Sequence, residues 1–104
     1  KCYVFVDEQM VQGDVAAVRD RIMNAMVAKG VPCFSGSCSE VYLEKAFTLQ
    51  GLGPLERLPV AQTLGDTSLM FLVHPTLSQK EMDHTCESLK RVVSNLSTAG
   101  KFNV

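Results

Sequence analysis

The apolar positions of this chain fall into three short continuous runs and two longer stripes of helical spacing. Cys2-Tyr3-Val4-Phe5-Val6 is the first run, β-prone throughout, and it predicts a strand. Polar Asp7-Glu8-Gln9 and the turn residue Gly13 follow, after which Asp14 stands as N-cap of a predicted helix. Val15, Val18, Ile22, Ala25 and Met26 recur at three- and four-residue steps as one buried stripe, with Arg19, Asp20 and Arg21 expected to face water. Gly30 ends this helix from the position that favours a left-handed residue, and Val31-Pro32 prevents its continuation.

Val31 to Phe34 predicts a short second strand, and Ser35-Gly36-Ser37-Cys38-Ser39 reads as a loop of small hydrogen-bonding side chains. Glu40 to Leu49 has helical character without a good cap, and Gly51-Leu52-Gly53-Pro54 breaks it. Pro59 suits the first turn of a short helix that runs through Leu64 and is closed by Gly65. Ser68 to Val73 is the strongest strand. Its unbroken apolar character places it centrally or with both faces covered, and His74-Pro75 ends it. The last helix opens with Ser78 as N-cap, Glu81 three residues on, and Leu77 with Met82 as a hydrophobic staple. Met82, Cys86, Leu89, Val93 and Leu96 form its expected buried seam.

The order β-α-β-(α)-β-α predicts an α+β fold, a two-layer α/β sandwich with a small sheet of about three strands and helices packed on one face. Residues 1–104 are read as a single domain, large enough to bury roughly two-thirds of its unfolded surface. The chain opens at Lys1 directly into a core strand, which points to a domain excised from a larger protein.

Composition narrows the function classes. Hydrophobic residues at 46% and charged residues at 20% describe an ordinary globule, and a net charge of −1 speaks against a sequence-independent grip on nucleic acid. No apolar run is long enough to span a bilayer, and no signal peptide stands at the start, so neither nucleic acid nor membrane is an expected partner. The cysteines are Cys2, Cys33, Cys38 and Cys86. Cys33-x4-Cys38 lacks a second pair at zinc spacing, so no metal site is expected, and the thiols are read as reduced and mostly buried in a cytoplasmic protein.

No nucleophile elbow, phosphate-binding glycine motif or catalytic constellation is present, and no catalytic residue is assigned. His74, at a strand end, stands where α/β proteins place ligand groups, but it is read first as a histidine that satisfies a loop carbonyl. His84 reads as solvated, and Asp7-Glu8 and Glu44-Lys45 as surface charge. Ser35 to Glu40 is the best candidate site, because consecutive small polar residues present backbone N–H groups and hydroxyls to anionic oxygens. Its alternative is a plain connection whose serines make local turns.

Val31-Pro32-Cys33-Phe34-Ser35-Gly36-Ser37-Cys38-Ser39-Glu40-Val41-Tyr42-Leu43-Glu44-Lys45-Ala46-Phe47, Leu58-Pro59-Val60-Ala61, and Ser68 through Ser78 with its Pro-Thr-Leu-Ser-x-x-Glu-Met close, together carry a resemblance. They resemble the C-terminal small domain of the DegT/DnrJ/StrS sugar aminotransferases, pyridoxal-phosphate enzymes of fold type I, over nearly the whole chain. The resemblance implies transfer of an amino group from glutamate, through pyridoxal 5'-phosphate, to the keto carbon of a nucleotide-linked sugar. It implies that the Schiff-base lysine and most cofactor ligands belong to a large N-terminal domain absent from this chain, and Lys45 is not given that role. This stretch alone is then expected to bind no cofactor and to be inactive. The small domain walls the substrate cleft in a cytoplasmic homodimer, with Ser35, Gly36, Ser37, Ser39 and Tyr42 as the candidate substrate-binding residues. Family members often carry a His in this loop, and here serines replace it. A second class of reading is a non-catalytic α/β regulatory or dimerisation module that binds a small ligand or partner.

Overall fold

A computed structural model describes residues 1–103. Three strands form one antiparallel sheet, β1 (Cys2–Phe5), β2 (Cys33–Phe34) and β3 (Ser68–Phe71), in the spatial order β1-β3-β2. All of β3 is buried, as its unbroken apolar run predicts for a central strand. Cys2 and Cys33 lie opposite Phe71, Tyr3 and Phe34 opposite Met70, and Val4 opposite Leu69. Because side chains alternate across a strand, Cys33, Leu69 and Phe71 share one sheet face and Tyr3, Phe34 and Met70 the other.

The helices are α1 (Val15–Ala28), α2 (Lys45–Thr48), α3 (Pro59–Thr67) and α4 (Gln79–Thr98). Asp14 caps α1 by accepting from the Ala16 N–H at 3.0 Å, and Gly30 takes a φ of +78° just past its end. Val18, Ile22 and Met26 of α1 and Val92 of α4 close the core over Val6, Val31, Cys33, Leu69 and Phe71. Burying each of the larger side chains contributes about 1.5–3 kcal/mol before entropy is counted. The expected two-layer α+β arrangement is the observed one.

Several expectations need correction. Arg19 does not face water: it is buried, 9% exposed, and stands on the stripe at four residues from Val15 and three from Ile22. Gly65 does not close α3, which continues to Thr67. The Thr67 hydroxyl bonds back to the Thr63 carbonyl at 2.7 Å, and Ser68 turns extended only afterwards. The strongest run pairs only to Phe71, because β1 starts opposite it and offers Leu72 and Val73 no strand; both are exposed.

The buried face of α4 is rotated by about one residue from the expected seam. Ser88 and Val92 are its buried positions, Thr85, Leu89, Val93 and Leu96 are half-buried, and Met82 and Cys86 face out. Ser88 is small enough to let the helix lie close to its neighbours, which a longer side chain would prevent. The cysteines are all free, as expected, but only Cys33 is buried. Cys2 lies on an edge strand, Cys38 in the loop, and Cys86 on the outer side of α4.

The radius of gyration is 15.9 Å, against roughly 13 Å for a compact chain of this length. The excess agrees with an arm, residues 40–58, whose Leu49, Leu52 and Leu55 are strongly exposed. No helix among the described residues is long and apolar enough to cross a membrane.

Candidate functional site

The loop Ser35–Ser39 leaves β2 and is fixed at both ends. The Ser35 carbonyl accepts from the hydroxyl of Ser68 at 2.6 Å. Ser68 is itself buried, and its own carbonyl accepts from Arg19 Nη1 at 3.2 Å. One buried cation thus holds the strand residue that holds the loop.

Gly36 has a φ of +102°, and a Cβ there would stand 2.8 Å from Cε1 of Tyr3, so the loop backbone rests on that ring. At the far end a Cβ on Gly65 would collide with the Ser39 hydroxyl. The glycine that was expected to cap α3 therefore makes room for the loop instead. Between these anchors Ser35, Ser37 and Ser39 are exposed and Gly36 is half-buried. The structure brings these four candidates into one short, positioned segment.

Tyr42 lies beyond them, at the neck of the arm, where its hydroxyl is already engaged. It donates to Glu40 Oε1 at 2.7 Å and accepts from the Leu58 N–H at 2.9 Å. Arg57 completes the neck as a fork, Nε to Oε1 at 2.7 Å and Nη2 to Oε2 at 2.6 Å of Glu40. The Arg57 fork first, then the Tyr42 hydroxyl, hold the Glu40 carboxyl down to about 2. Two ends of the arm are joined here across 17 residues.

The remaining chemistry is quiet. Cys38 donates to Glu44 at 3.5 Å, and partial desolvation together with that carboxylate pushes its thiol up, away from a reactive thiolate. His74 Nδ1 lies 2.7 Å from the Thr76 hydroxyl in a local turn, a hydroxyl partner in place of the expected loop carbonyl. His84 is exposed as expected, and Nε2 also donates to the Lys29 carbonyl at 3.0 Å. Among the described residues no cluster of His, Cys, Asp and Glu could hold a metal ion.

The residues present do not fit a pyridoxal phosphate held by this chain alone. Lys1, Lys29, Lys45, Lys80, Lys90 and Lys101 are all exposed, and none lies in a pocket that could desolvate a Schiff base.

Sequence reasoning missed Arg19, Ser68, Glu40 and Arg57 as the parts that position the loop and arm. Arg19 was findable from its place on the apolar stripe, and Ser68 as a hydroxyl at the head of the most apolar strand. The Glu40–Arg57 pair carries no signal in the sequence, because charged residues this far apart in a loop are paired only by its course.

No family model matches the chain, and no curated protein does. Among solved structures, an aminotransferase from Psychrobacter cryohalolentis matches it with a TM-score of 0.82 and 52% identity over 91% of this chain. The chain is related to an aminotransferase. It spans 24% of that protein, so it corresponds to about a quarter of the aminotransferase it matches. The loop and its anchors are features of an aminotransferase-related domain.

Proposed function

We propose that this chain is the small C-terminal domain of a pyridoxal-phosphate-dependent sugar aminotransferase of the DegT/DnrJ/StrS type. The parent transfers an amino group from glutamate to a keto nucleotide-sugar as a cytoplasmic homodimer, and the cofactor and its lysine are supplied by the large N-terminal domain. The observation that carries this reading is the 52% identity to an aminotransferase across nearly the whole chain.

The anchored loop gives the domain its part in the reaction. Exposed hydroxyls at Ser37 and Ser39, backed by Gly36, allow close approach of a diphosphate sugar and suit its oxygens. These groups bind ground and transition state alike, since bonds are broken at the cofactor and not at the loop. The test is steady-state kinetics of the full-length enzyme with both substrates. Ser37→Ala or Ser39→Ala should raise KM for the nucleotide-sugar by up to about tenfold, the worth of one hydrogen bond at roughly 0.5–1.5 kcal/mol. The kcat and the KM for glutamate should stay nearly unchanged. An unaltered sugar KM in both variants would return the loop to a plain connection.

A further inference from the structure

An antiparallel sheet with helices on one face ordinarily turns polar side chains to water on the other. Here the outer face is aromatic. Tyr3, Met70 and Phe34 form one cross-strand row over all three strands, and Phe5 adds a further ring beside Ser68. Met70 at the centre is 8% exposed, while the flanking rings remain open, Tyr3 at 41%, Phe34 at 46% and Phe5 at 54%. A face of three rings around a buried methionine is built to be covered, since contiguous apolar surface of this kind marks an interaction site.

The outer side of α4 offers no equal. The shallow cavity along it is lined by Lys90, Ser94, Ser97 and Thr98 beside Leu89 and Val93, a mixture suited to solvent. The aromatic face also borders the candidate loop, because Gly36 rests on the Tyr3 ring.

We infer that the outer sheet face, centred on Tyr3, Phe5, Phe34 and Met70, docks on an apolar surface of the large part of the parent enzyme. This rests on the reading above. The occupant follows from the comparison: 24% of a related aminotransferase is matched by this chain, and the other 76% of that protein is the surface nearest to hand. Docked in this way, the domain places its Ser35–Ser39 loop at the rim of the joint. The loop's exposed serines then lie beside the joint, because Gly36 rests on the Tyr3 ring.

The experiment replaces the matched quarter of the Psychrobacter cryohalolentis enzyme with this chain and compares oxidative side-chain footprinting of the graft with that of the isolated chain. Labelling of Tyr3, Phe5 and Phe34 should fall roughly fivefold or more in the graft, as expected for rings moved into an interface core, while Met82 keeps its labelling. Unchanged ring labelling overturns the inference, and so does protection confined to Met82 and its neighbours. Ring protection in the isolated chain that rises with concentration, together with dimer sedimentation, also overturns it, because the occupant is then a second copy. Should the graft be insoluble, the same footprint is taken of this chain mixed with that enzyme lacking its matched quarter, with the same outcomes. Transaminase activity of the graft is read separately. Activity without ring protection removes this inference and leaves the aminotransferase reading standing, and protection without activity does the reverse.

Discussion

Arg19 donates from Nη1 to the carbonyl of Gly65 at 2.7 Å, joining the middle of the first helix to the end of the third across 46 residues. The same guanidinium reaches Ser68 O at 3.2 Å and pairs through Nε with Asp20 at 2.7 Å. Arg19→Ala should therefore destabilise the domain by about 3 kcal/mol, because two carbonyls lose a charged donor and one of these bonds is buried. Arg19→Lys should recover only part of this, since an ammonium cannot reproduce the fork. Urea unfolding measures both, and a loss of only a few tenths for the alanine variant would mean the contact is incidental.

The entrance to α4 is a complete capping box. The Glu81 N–H donates to Ser78 Oγ at 3.3 Å, and the Ser78 N–H donates back to Glu81 Oε2 at 2.7 Å. The Ser78 backbone donor first, then its hydroxyl, hold the Glu81 carboxyl below the usual range. Ser78→Ala should cost about 1 kcal/mol in equilibrium unfolding, and Ser78→Asp should restore most of it. No change on the alanine substitution would show that the helix does not need this cap.

The neck of the arm is sensitive to acid. Glu40 titrates near 2 when folded against about 4.5 ordinarily, so its contribution is fully present above about 4.5 and is lost as the pH falls through 2. The Glu40 side-chain carbon, followed by NMR, should show a midpoint near 2, and Arg57→Gln should move it back toward the ordinary range. Protection of the Leu58 amide, which donates to Tyr42, should fall over the same window. A Glu40 midpoint in the ordinary range in the unsubstituted protein would mean that the fork does not persist in solution.

Periodicity made the architecture legible because helices and strands bury one face each. The Cys2 and Ser68 runs, the Asp14 and Ser78 caps and the Gly30 stop all act within a few residues, and such local signals survive into the structure. What sequence left hidden depends on contacts across the chain. Arg19 became buried because carbonyls at Gly65 and Ser68 await it, and Gly65 is glycine because Ser39 presses on it. The seam of α4 is displaced by about a residue from the expected one because Met82 and Cys86 have the apolar character of a core position and yet face out. Ser88, which takes that place, is chosen by close approach. In the candidate site the small polar loop was visible as composition, while its anchoring by Ser68 and Tyr3 and the neck at Glu40 and Arg57 were not.

The central claim is that this domain completes an aminotransferase. Its most direct measurement is the transamination rate of the Psychrobacter cryohalolentis enzyme carrying this chain in place of its matched quarter. The account predicts a folded graft that transaminates within about tenfold of the parent, a change of roughly 1.4 kcal/mol in the barrier. A folded graft that transfers no amino group would contradict it.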